Sequence, residues 1–197
     1  MKNEKSGVYY EIFVRSFADS NGDGIGDIKG IMLKLDKLKE LGIEGIWLTP
    51  IFKSPSYHKY DVTDYYKIDP EYGTSDDLKN LVIEAHKRGI KIILDLPVNH
   101  TSVEHPWFKD IKDNVNSKYK EYYRISKKDD KSLNLKSFSM GHLSWVPLND
   151  KELYYAIFWE GMPDLNFSNK KVRKEIIDIG KYWIINSNID GYRLDAA

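Results

Sequence analysis

The sequence lacks cysteine, net charge and long hydrophobic runs. Without cysteine, the chain has no disulfide framework, no thiolate nucleophile and no cysteine-ligated metal. Thirty basic residues balance thirty acidic ones, so charge predicts neither a nucleic acid nor a membrane surface as partner. No apolar run reaches membrane-spanning length, and the opening residues lack the apolar segment of a signal peptide. We therefore expect a cytoplasmic protein, or a secreted one whose leader has been removed.

The sequence does contain a repeated alternation of strand and helix patterns. Its 197 residues are 41% hydrophobic, which is enough for a sizeable core. Apolar or aromatic segments predict four strands, the first of them buried, at 7–14, 43–50, 90–96 and 189–196. Helical spacing predicts three intervening helices, with apolar stripes at Ile31, Leu35 and Leu38, at Leu78, Leu81, Val82 and Ala85, and at Val172, Ile176, Ile179 and Trp183. This alternation is typical of an α/β protein with a parallel sheet covered by helices.

One connection is far longer than an ordinary strand-to-helix loop. It runs from about His100 to Ser168 and contains turn clusters, aromatic residues and short strand-like pieces. We interpret it as a small inserted subdomain. The sequence therefore predicts three regions: 1–99 as the first part of a sheet domain, 100–168 as the insertion, and 169–197 as the sheet domain continued.

Polar residues follow the predicted strands where functional groups of parallel α/β folds are found. Asp95 ends the third strand, and Arg193 and Asp195 lie at the end of the fourth. Each has a structural explanation when taken alone, but adjacent parallel strands bring their ends together. Arg193, two residues earlier on the same face, is expected to keep the Asp195 carboxylate ionised as a nucleophile. Gly191 is expected to let a neighbour pack closely against the strand.

The segment "DSNGDGIGD" at residues 19–27 has the composition of a metal-binding loop. Its glycines allow the backbone to curl oxygen ligands around a hard cation. We predict one structural calcium or magnesium ion, with five ligands: the side chains of Asp19, Asn21, Asp23 and Asp27 and the carbonyl of Ile25. Gly30 stands where an EF-hand requires glutamate, so an EF-hand sensor is not expected. The alternative is a polar turn without metal.

Several motifs in order resemble the α-amylase family, glycoside hydrolase family 13. They are "HKYDVTDYY" at 58–66, "DLPVNH" at 95–100, "GMPDLN" at 161–166 and "GYRLDAA" at 191–197. The resemblance covers nearly the whole sequence. It implies an eight-stranded (β/α)8 TIM barrel with a small domain B inserted after the third strand. The chain would provide the N-terminal half of this barrel, with about four strands.

The resemblance also implies roles for individual residues. Asp195 would be the catalytic nucleophile and Arg193 its partner, while Asp95 would support the site. His100 would bond the sugar in the cleaved subsite, and Tyr60 would stack under that sugar with Asp61 as a neighbouring polar contact. Asn99 would lie near the structural calcium of some family members.

A retaining glycosidase needs a second carboxyl group as general acid. The family carries this glutamate on its fifth strand, and Glu104, Glu152 and Glu160 lack the required motif context. The sequence therefore resembles an N-terminal fragment without the general acid. The expected function of the complete protein is double-displacement hydrolysis of α-glucans such as starch and maltooligosaccharides.

Ala196 and Met162 favour α-1,4 bonds within this resemblance. Cyclomaltodextrinase, neopullulanase and oligo-1,6-glucosidase types remain alternatives. A non-catalytic glucan-binding or scaffold protein is an alternative of another class, although the retained Asp195, Arg193 and His100 argue against it. A calcium-dependent interaction module would rest on the metal loop alone.

Overall fold

The computed structural model describes residues 7–114 and 116–197. Residues 1–6, on which the leader expectation partly rests, lie outside the described residues. The described chain forms two compact units. Unit 1 contains the described residues up to Lys53, with Tyr65–Leu96 and Ile179–Leu194; unit 2 contains Ser54–Asp64, Pro97–Asp178 and Asp195–Ala197. The three regions predicted from the sequence remain a prediction.

The described chain contains eleven short strands, six α-helices and one 3₁₀ helix, Lys120–Tyr122. The strands are β1 Tyr9–Ile12, β2 Gly45–Leu48, β3 Phe52–Lys53, β4 Asp64–Ile68, β5 Lys91–Pro97, β6 Ile125–Lys127, β7 Phe138–Ser139, β8 His142–Leu143, β9 Trp145–Pro147, β10 Glu152–Tyr155 and β11 Gly191–Asp195. The helices are α1 Val14–Phe17, α2 Ile28–Met32, α3 Leu35–Glu40, α4 Ser75–Lys87, α5 Pro106–Asp113 and α6 Lys170–Ser187. No helix among the described residues is long and apolar enough to cross a lipid bilayer.

The main sheet has four strands in the order β1-β2-β5-β11. The β1–β2 and β2–β5 pairs are parallel. The four predicted strands are thus confirmed, and their order in the sheet follows their order along the chain. This arrangement places Asp95 of β5 and Arg193 of β11 on neighbouring strands.

Strand β1 differs from its prediction as a buried strand. Tyr9 and Tyr10 are 42% and 39% exposed, and only Ile12 is buried. The strand lies at the edge of the sheet and pairs with β2 alone within it, so its aromatic residues are only partly covered. Gly45 of β2 has a packing role here, because a Cβ atom at this position would approach the Tyr9 ring to 2.3 Å.

The first predicted helix is divided into α2 and α3. The Lys34 N–H bonds to the Ile31 carbonyl at 2.9 Å, and this three-residue hydrogen bond tightens the backbone between the two helices. Leu33, next to the break, is 72% exposed. The predicted stripe nevertheless faces the core, since Ile31, Leu35 and Leu38 are all buried.

Helix α4 begins and packs as its sequence predicts. The Thr74 hydroxyl accepts the Asp77 backbone N–H, and the Asp77 carboxylate accepts the Thr74 N–H at 2.9 Å, which completes a capping box. Its predicted apolar stripe is buried: Leu78, Leu81, Val82 and Ala85. In α6, Val172, Ile179 and Trp183 are likewise buried.

Unit 2 has a hydrophobic core of its own. An antiparallel sheet, β6-β10-β9, contributes Tyr154 to it, and α5 contributes Phe108 and Ile111. The Phe108 ring lies 5.0 Å from the rings of Tyr123 and Tyr154 in edge-to-face contacts. Among the strand-like pieces expected in the insertion is "LYYAIFW" at 153–159, which forms a strand only as far as Tyr155, the end of β10.

Candidate active site

In unit 1, Asp95 of β5 is fully buried and held by two neighbouring strands. Its carboxylate accepts hydrogen bonds from the Arg193 guanidinium at 3.1 and 3.2 Å and from Trp47 Nε1 at 3.1 Å. The guanidinium also lies 5.0 Å from the centre of the Trp47 ring. A buried carboxylate is stable only when paired and hydrogen-bonded, and these contacts satisfy that requirement. The predicted juxtaposition of Asp95 and Arg193 is therefore present, with Trp47 as a third member.

Gly191, at the start of β11, does not have the predicted role. A Cβ atom there would meet Ile93 at 3.7 Å, which is an ordinary van der Waals distance. The expectation of unusually close packing at Gly191 was wrong, because the neighbouring strand leaves room for a small side chain.

In unit 2, Asp61 is buried and anchored by the loop that precedes it. It accepts hydrogen bonds from the hydroxyls of Ser54, at 2.7 Å, and Ser56, and His58 Nδ1 lies 3.9 Å away. The Tyr60 backbone N–H donates to His58 Nδ1 at 3.1 Å. The serines and His58 thus fix the two predicted substrate-binding residues of this loop.

The same loop contains a strained backbone position. Lys59 is buried and has a φ of 63°, in the left-handed region that is unfavourable for a lysine. Strain of this kind persists where the surrounding contacts over-determine the conformation. This position directly precedes Tyr60 and Asp61, the two predicted substrate-binding residues of the loop.

His100 is 1% exposed and sits among the predicted site residues of unit 2. Burial lowers its pKa to about 4, against the opposing influence of the Asp195 and Asp61 carboxylates and a hydrogen bond with the Tyr60 backbone. Its ring contacts Phe158 at 5.1 Å in an edge-to-face arrangement. His100 is therefore neutral at pH 7.

Asp195 is the last residue of β11, two positions after Arg193. Its backbone carbonyl accepts the Val98 N–H at 3.5 Å, which links it to the chain just after β5. The influence of its carboxylate on His100 places the two groups in one electrostatic environment. Tyr60, Asp61, His100 and Asp195 thus belong to one part of unit 2, and their catalytic and binding roles remain predictions.

Some supporting residues were not predicted from the sequence. Asp164 of the "GMPDLN" motif is buried, accepts the Ile157 N–H at 3.0 Å and is hydrogen-bonded by the Asn99 side chain. Phe158 contacts the His100 ring in unit 2. Trp47 donates a hydrogen bond to Asp95 in unit 1. The "GMPDLN" motif could have pointed to Asp164. The sequence around Phe158 and Trp47 contains no pattern that separates them from ordinary core residues.

The acidic loop after α1 is closed by its own backbone. The Asp19 carboxylate accepts the N–H groups of Asn21, Gly22 and Gly24 at 2.7 to 2.9 Å, and these bonds hold its pKa below the usual range. Gly22 and Gly24 have φ values of 84° and 86°, which only glycine adopts readily. Asp23 accepts the Ile25 N–H at 2.8 Å.

Asp27 has a structural role that its sequence context did not reveal. Its carboxylate caps α2 through the Gly30 N–H at 2.6 Å and accepts both the backbone N–H and the hydroxyl of Ser20. The loop offers carboxylate, amide and carbonyl oxygens, which are the ligands that hard cations prefer. Within the described ranges, however, no three acidic, histidine or cysteine residues form a metal-binding group, so the metal remains a prediction.

Two glutamates of the insertion are engaged in ordinary ion pairs. Glu104 pairs with Lys109, and Glu152 pairs with Lys120 at 2.7 Å and accepts the Asn149 amide at 3.1 Å. These pairs lower the pKa of both glutamates. Neither has the raised pKa that a general acid requires at neutral pH.

The fold of unit 1 is a parallel β/α arrangement in which a buried carboxylate, Asp95, lies near the end of a strand and pairs with Arg193 of the neighbouring strand. A family profile described as the alpha-amylase catalytic domain matches residues 11–197. The chain belongs to the alpha-amylase family. The predicted fold class is thereby confirmed as the N-terminal part of a (β/α)8 barrel.

Individual relatives agree with this membership. The chain is 53% identical to alpha-amylase 3 of Dictyoglomus thermophilum, over 98% of this chain and 37% of the relative. It is 45% identical to an oligo-1,6-glucosidase of Parageobacillus thermoglucosidasius, over 97% of this chain and 34% of the relative. Its structure matches the alpha-amylase of H. orenii with a TM-score of 0.89 at 53% identity, over 98% of this chain and 41% of that one. The chain thus spans little more than a third of the length of these relatives.

Proposed function

We propose that the complete protein is a retaining glycoside hydrolase that acts on α-glucans, and that this chain is its N-terminal part. The observation that carries the proposal is the buried Asp95–Arg193 pair at the ends of adjacent strands, with Asp195 two residues further along β11. The relatives are described as alpha-amylases and oligo-1,6-glucosidases, which supports an α-glucan as substrate.

In the proposed reaction, the Asp195 carboxylate attacks the anomeric carbon of the bound sugar. The leaving glycosidic oxygen takes a proton from a glutamic acid beyond this chain, and a covalent glycosyl ester forms on Asp195. Water then cleaves the ester, and the same glutamate removes its proton. Two inversions at one carbon give retention of the α configuration.

The residues of this chain would bind and orient the sugar. Neutral His100 and the Asp61 carboxylate would bond its hydroxyls, and Tyr60 would pack against its apolar face. Arg193 would hold the Asp95 carboxylate in place through its two hydrogen bonds. Ala196 and Met162 support a preference for α-1,4 bonds, which makes maltooligosaccharides and starch the first substrates to test.

The metal loop is proposed to hold one calcium or magnesium ion in a structural role. Asp19, Asn21, Asp23, Asp27 and the Ile25 carbonyl would provide its oxygen ligands. The ion would cross-link the loop and stabilise the segment before α2.

The proposal is tested by trapping the covalent intermediate. The full-length protein is incubated with a fluorinated α-glucosyl donor, and the labelled peptide is identified by mass spectrometry. We expect the label on Asp195, an α-anomeric first product by NMR, and no label in Asp195→Asn. Asp195→Asn should also lower turnover by several orders of magnitude while glucan binding largely survives. A label on another residue, or a β-anomeric first product, would contradict the assignment.

A non-catalytic glucan-binding protein is the second candidate. It would bind maltooligosaccharides with a similar affinity in the wild type and in Asp195→Asn, and neither would turn them over. The same binding and turnover measurements therefore separate the two functions.

A further inference from the structure

Unit 2 presents an exposed tryptophan, Trp159, which directly follows Phe158, the residue whose ring contacts His100. Trp159 is 46% exposed, whereas Trp107 and Trp145 of the same unit are only partly exposed against neighbouring rings. Nothing in the proposed chemistry uses Trp159. A large aromatic side chain left in water beside a ligand site is a typical binding surface.

The indole ring is supported by a glycine. A Cβ atom at Gly161 would lie 2.1, 2.3 and 2.6 Å from three atoms of the six-membered ring of Trp159. Any larger residue would therefore displace the indole. The ring rests on the bare backbone of Gly161 and keeps much of the rest of its surface open to solvent.

The turn that carries Trp159 is held by backbone hydrogen bonds. The Met162 N–H bonds to the Trp159 carbonyl at 2.9 Å, and the Val103 N–H bonds to the Gly161 carbonyl at 3.0 Å. The Tyr154 hydroxyl donates to the Glu160 carbonyl at 2.8 Å. Because the turn is already ordered, a ligand that stacks on the indole does not have to order it.

The chain places this ring one residue from the surroundings of His100. Phe158, the preceding residue, contacts the His100 ring at 5.1 Å. Adjacent Cα atoms are about 3.8 Å apart, so the backbone of Trp159 directly adjoins the residue that contacts His100.

We propose that Trp159 is a substrate-binding residue whose exposed indole stacks on a glucose unit of an α-glucan, beside the unit that His100 contacts. This inference rests on the proposed function and names a further residue of its substrate site. A pyranose presents C–H groups on its faces and hydroxyls at its rim. The negative face of an aromatic ring attracts those C–H groups, while the hydroxyls remain free to bond water.

Four variants test this role in the full-length protein: Trp159→Ala, Trp159→Phe, Gly161→Ala and the double variant Trp159→Ala/Gly161→Ala. Gly161 does not have a left-handed φ, so alanine is compatible with its backbone and acts by displacing the indole. Trp145→Phe is the matched control, since this tryptophan packs against Tyr155. KM and kcat are measured on maltose and maltopentaose, and binding is followed by tryptophan fluorescence.

We expect Trp159→Ala and Gly161→Ala each to raise KM for maltopentaose at least tenfold, with kcat little changed. Trp159→Phe should raise KM for maltopentaose less than Trp159→Ala does, because phenylalanine retains an aromatic ring. The control variant, Trp145→Phe, should have the KM of the wild type. The effect on maltose should be smaller than on maltopentaose. In the double variant, Gly161→Ala should add little to Trp159→Ala, because the glycine acts through the indole.

An unchanged KM in Trp159→Ala, or full additivity in the double variant, would overturn the role of Trp159 and leave the proposed hydrolase intact. Binding that depends on Trp159 without any hydrolysis would instead overturn the hydrolase and retain the binding role. A wild-type protein that binds no maltooligosaccharide would overturn both. A purely structural tryptophan would lower the melting temperature while leaving KM unchanged.

Discussion

Asp95 combines complete burial with a negative charge, which makes it sensitive to its partners. The Arg193 guanidinium bonds both carboxylate oxygens, and Trp47 Nε1 bonds one of them. Removing one partner of a buried charge costs more than the pair contributes to stability, because the remaining charge stays unpaired. The geometry of the guanidinium therefore matters as much as its charge.

Arg193→Lys should impair both activity and stability of the full-length protein. A lysine ammonium can replace the Nη1 donor to Asp95, but it has no second part that remains over the Trp47 ring. We expect at least a tenfold loss of kcat/KM and a loss of about 1 to 3 kcal/mol in the free energy of unfolding, measured by denaturant titration.

Arg88→Lys is the matched control, because Arg88 pairs with Asp36 and Glu84 at the surface. Such exposed pairs contribute little to stability, because water screens the charges. If Arg193→Lys and Arg88→Lys lowered activity and stability equally, the burial of Asp95 would not be the cause of the loss.

The lowered pKa of His105 leads us to expect a loss of stability at acid pH. Burial lowers its pKa to about 4, below the ordinary value of 6.5, and its Nδ1 accepts the Trp107 N–H at the start of α5. Below pH 6.5 the unfolded state takes up a proton that the folded state does not bind, so stability falls until pH reaches about 4. The expected loss at this residue between pH 7 and 4.5 is on the order of 2 to 3 kcal/mol.

His105→Asn removes the titration and keeps a side chain that caps helices well. Denaturant titrations at pH 7 and pH 4.5 should show a smaller acid loss in this variant than in the wild type. An identical loss in both proteins would rule out His105 as a source of the pH dependence.

The pairing of Asp95 with Arg193 could be predicted because parallel strands that follow each other in a sheet bring equivalent ends together. The anchoring of Asp61 by Ser54, Ser56 and His58 could not be predicted. It depends on how an irregular loop folds back on itself, and local sequence patterns do not encode that geometry.

At the scale of elements, the loop between α1 and α2 is held in shape by hydrogen bonds to its own carboxylates. Asp19 and Asp23 hold the backbone turns, and Asp27 caps α2. The sequence shows the spacing of oxygen ligands that a metal-binding loop requires. The same carboxylates, however, also stabilise turns and cap a helix. Composition alone cannot separate these uses, because both require oxygen acceptors on a glycine-rich backbone.

Calcium should raise the melting temperature of the full-length protein, and a chelator should lower it. An ion that binds only the folded state stabilises it by about 2.7 kcal/mol at a hundredfold excess over its dissociation constant. Asp23→Ala should abolish the calcium response. Asp76→Asn, an exposed acid in the first turn of α4, is the control and should retain it. A melting temperature that ignores both calcium and chelator would contradict the site.

Helix patterns were predicted more accurately than helix continuity. The stripe of Ile31, Leu35 and Leu38 is buried, yet α2 and α3 are separate helices. The spacing of apolar residues predicts which face of a helix is buried. It does not predict the tightened turn at Lys34 that separates α2 from α3, because that turn depends on local packing. Capping of α4 was predictable because Thr74 and Asp77 bond each other within one turn.

At the scale of the whole molecule, the main sheet of unit 1 has four strands, and several apolar side chains of this unit are exposed. Ile184, Ile185 and Leu194 are 46%, 76% and 53% exposed. The family fold is a closed eight-stranded barrel, in which such surfaces are covered by further strands and helices.

The 197-residue chain made alone should hydrolyse no glucan, because the proposed general acid is not among its residues. Starch and maltooligosaccharide hydrolysis is measured by release of reducing sugar, with Asp195→Asn as the control for background. Turnover well above that control would overturn the proposal that this chain is a fragment.

The interrupted composition of the two units has a consequence for synthesis on the ribosome. Unit 1 includes Tyr65–Leu96 but also Ile179–Leu194, and the intervening chain belongs to unit 2. At translation rates of roughly 5 to 20 residues per second, β5 must wait several seconds for β11 to emerge. During this interval the nascent chain exposes the edge of β5, which makes this period of synthesis the one in which chaperone binding would matter most.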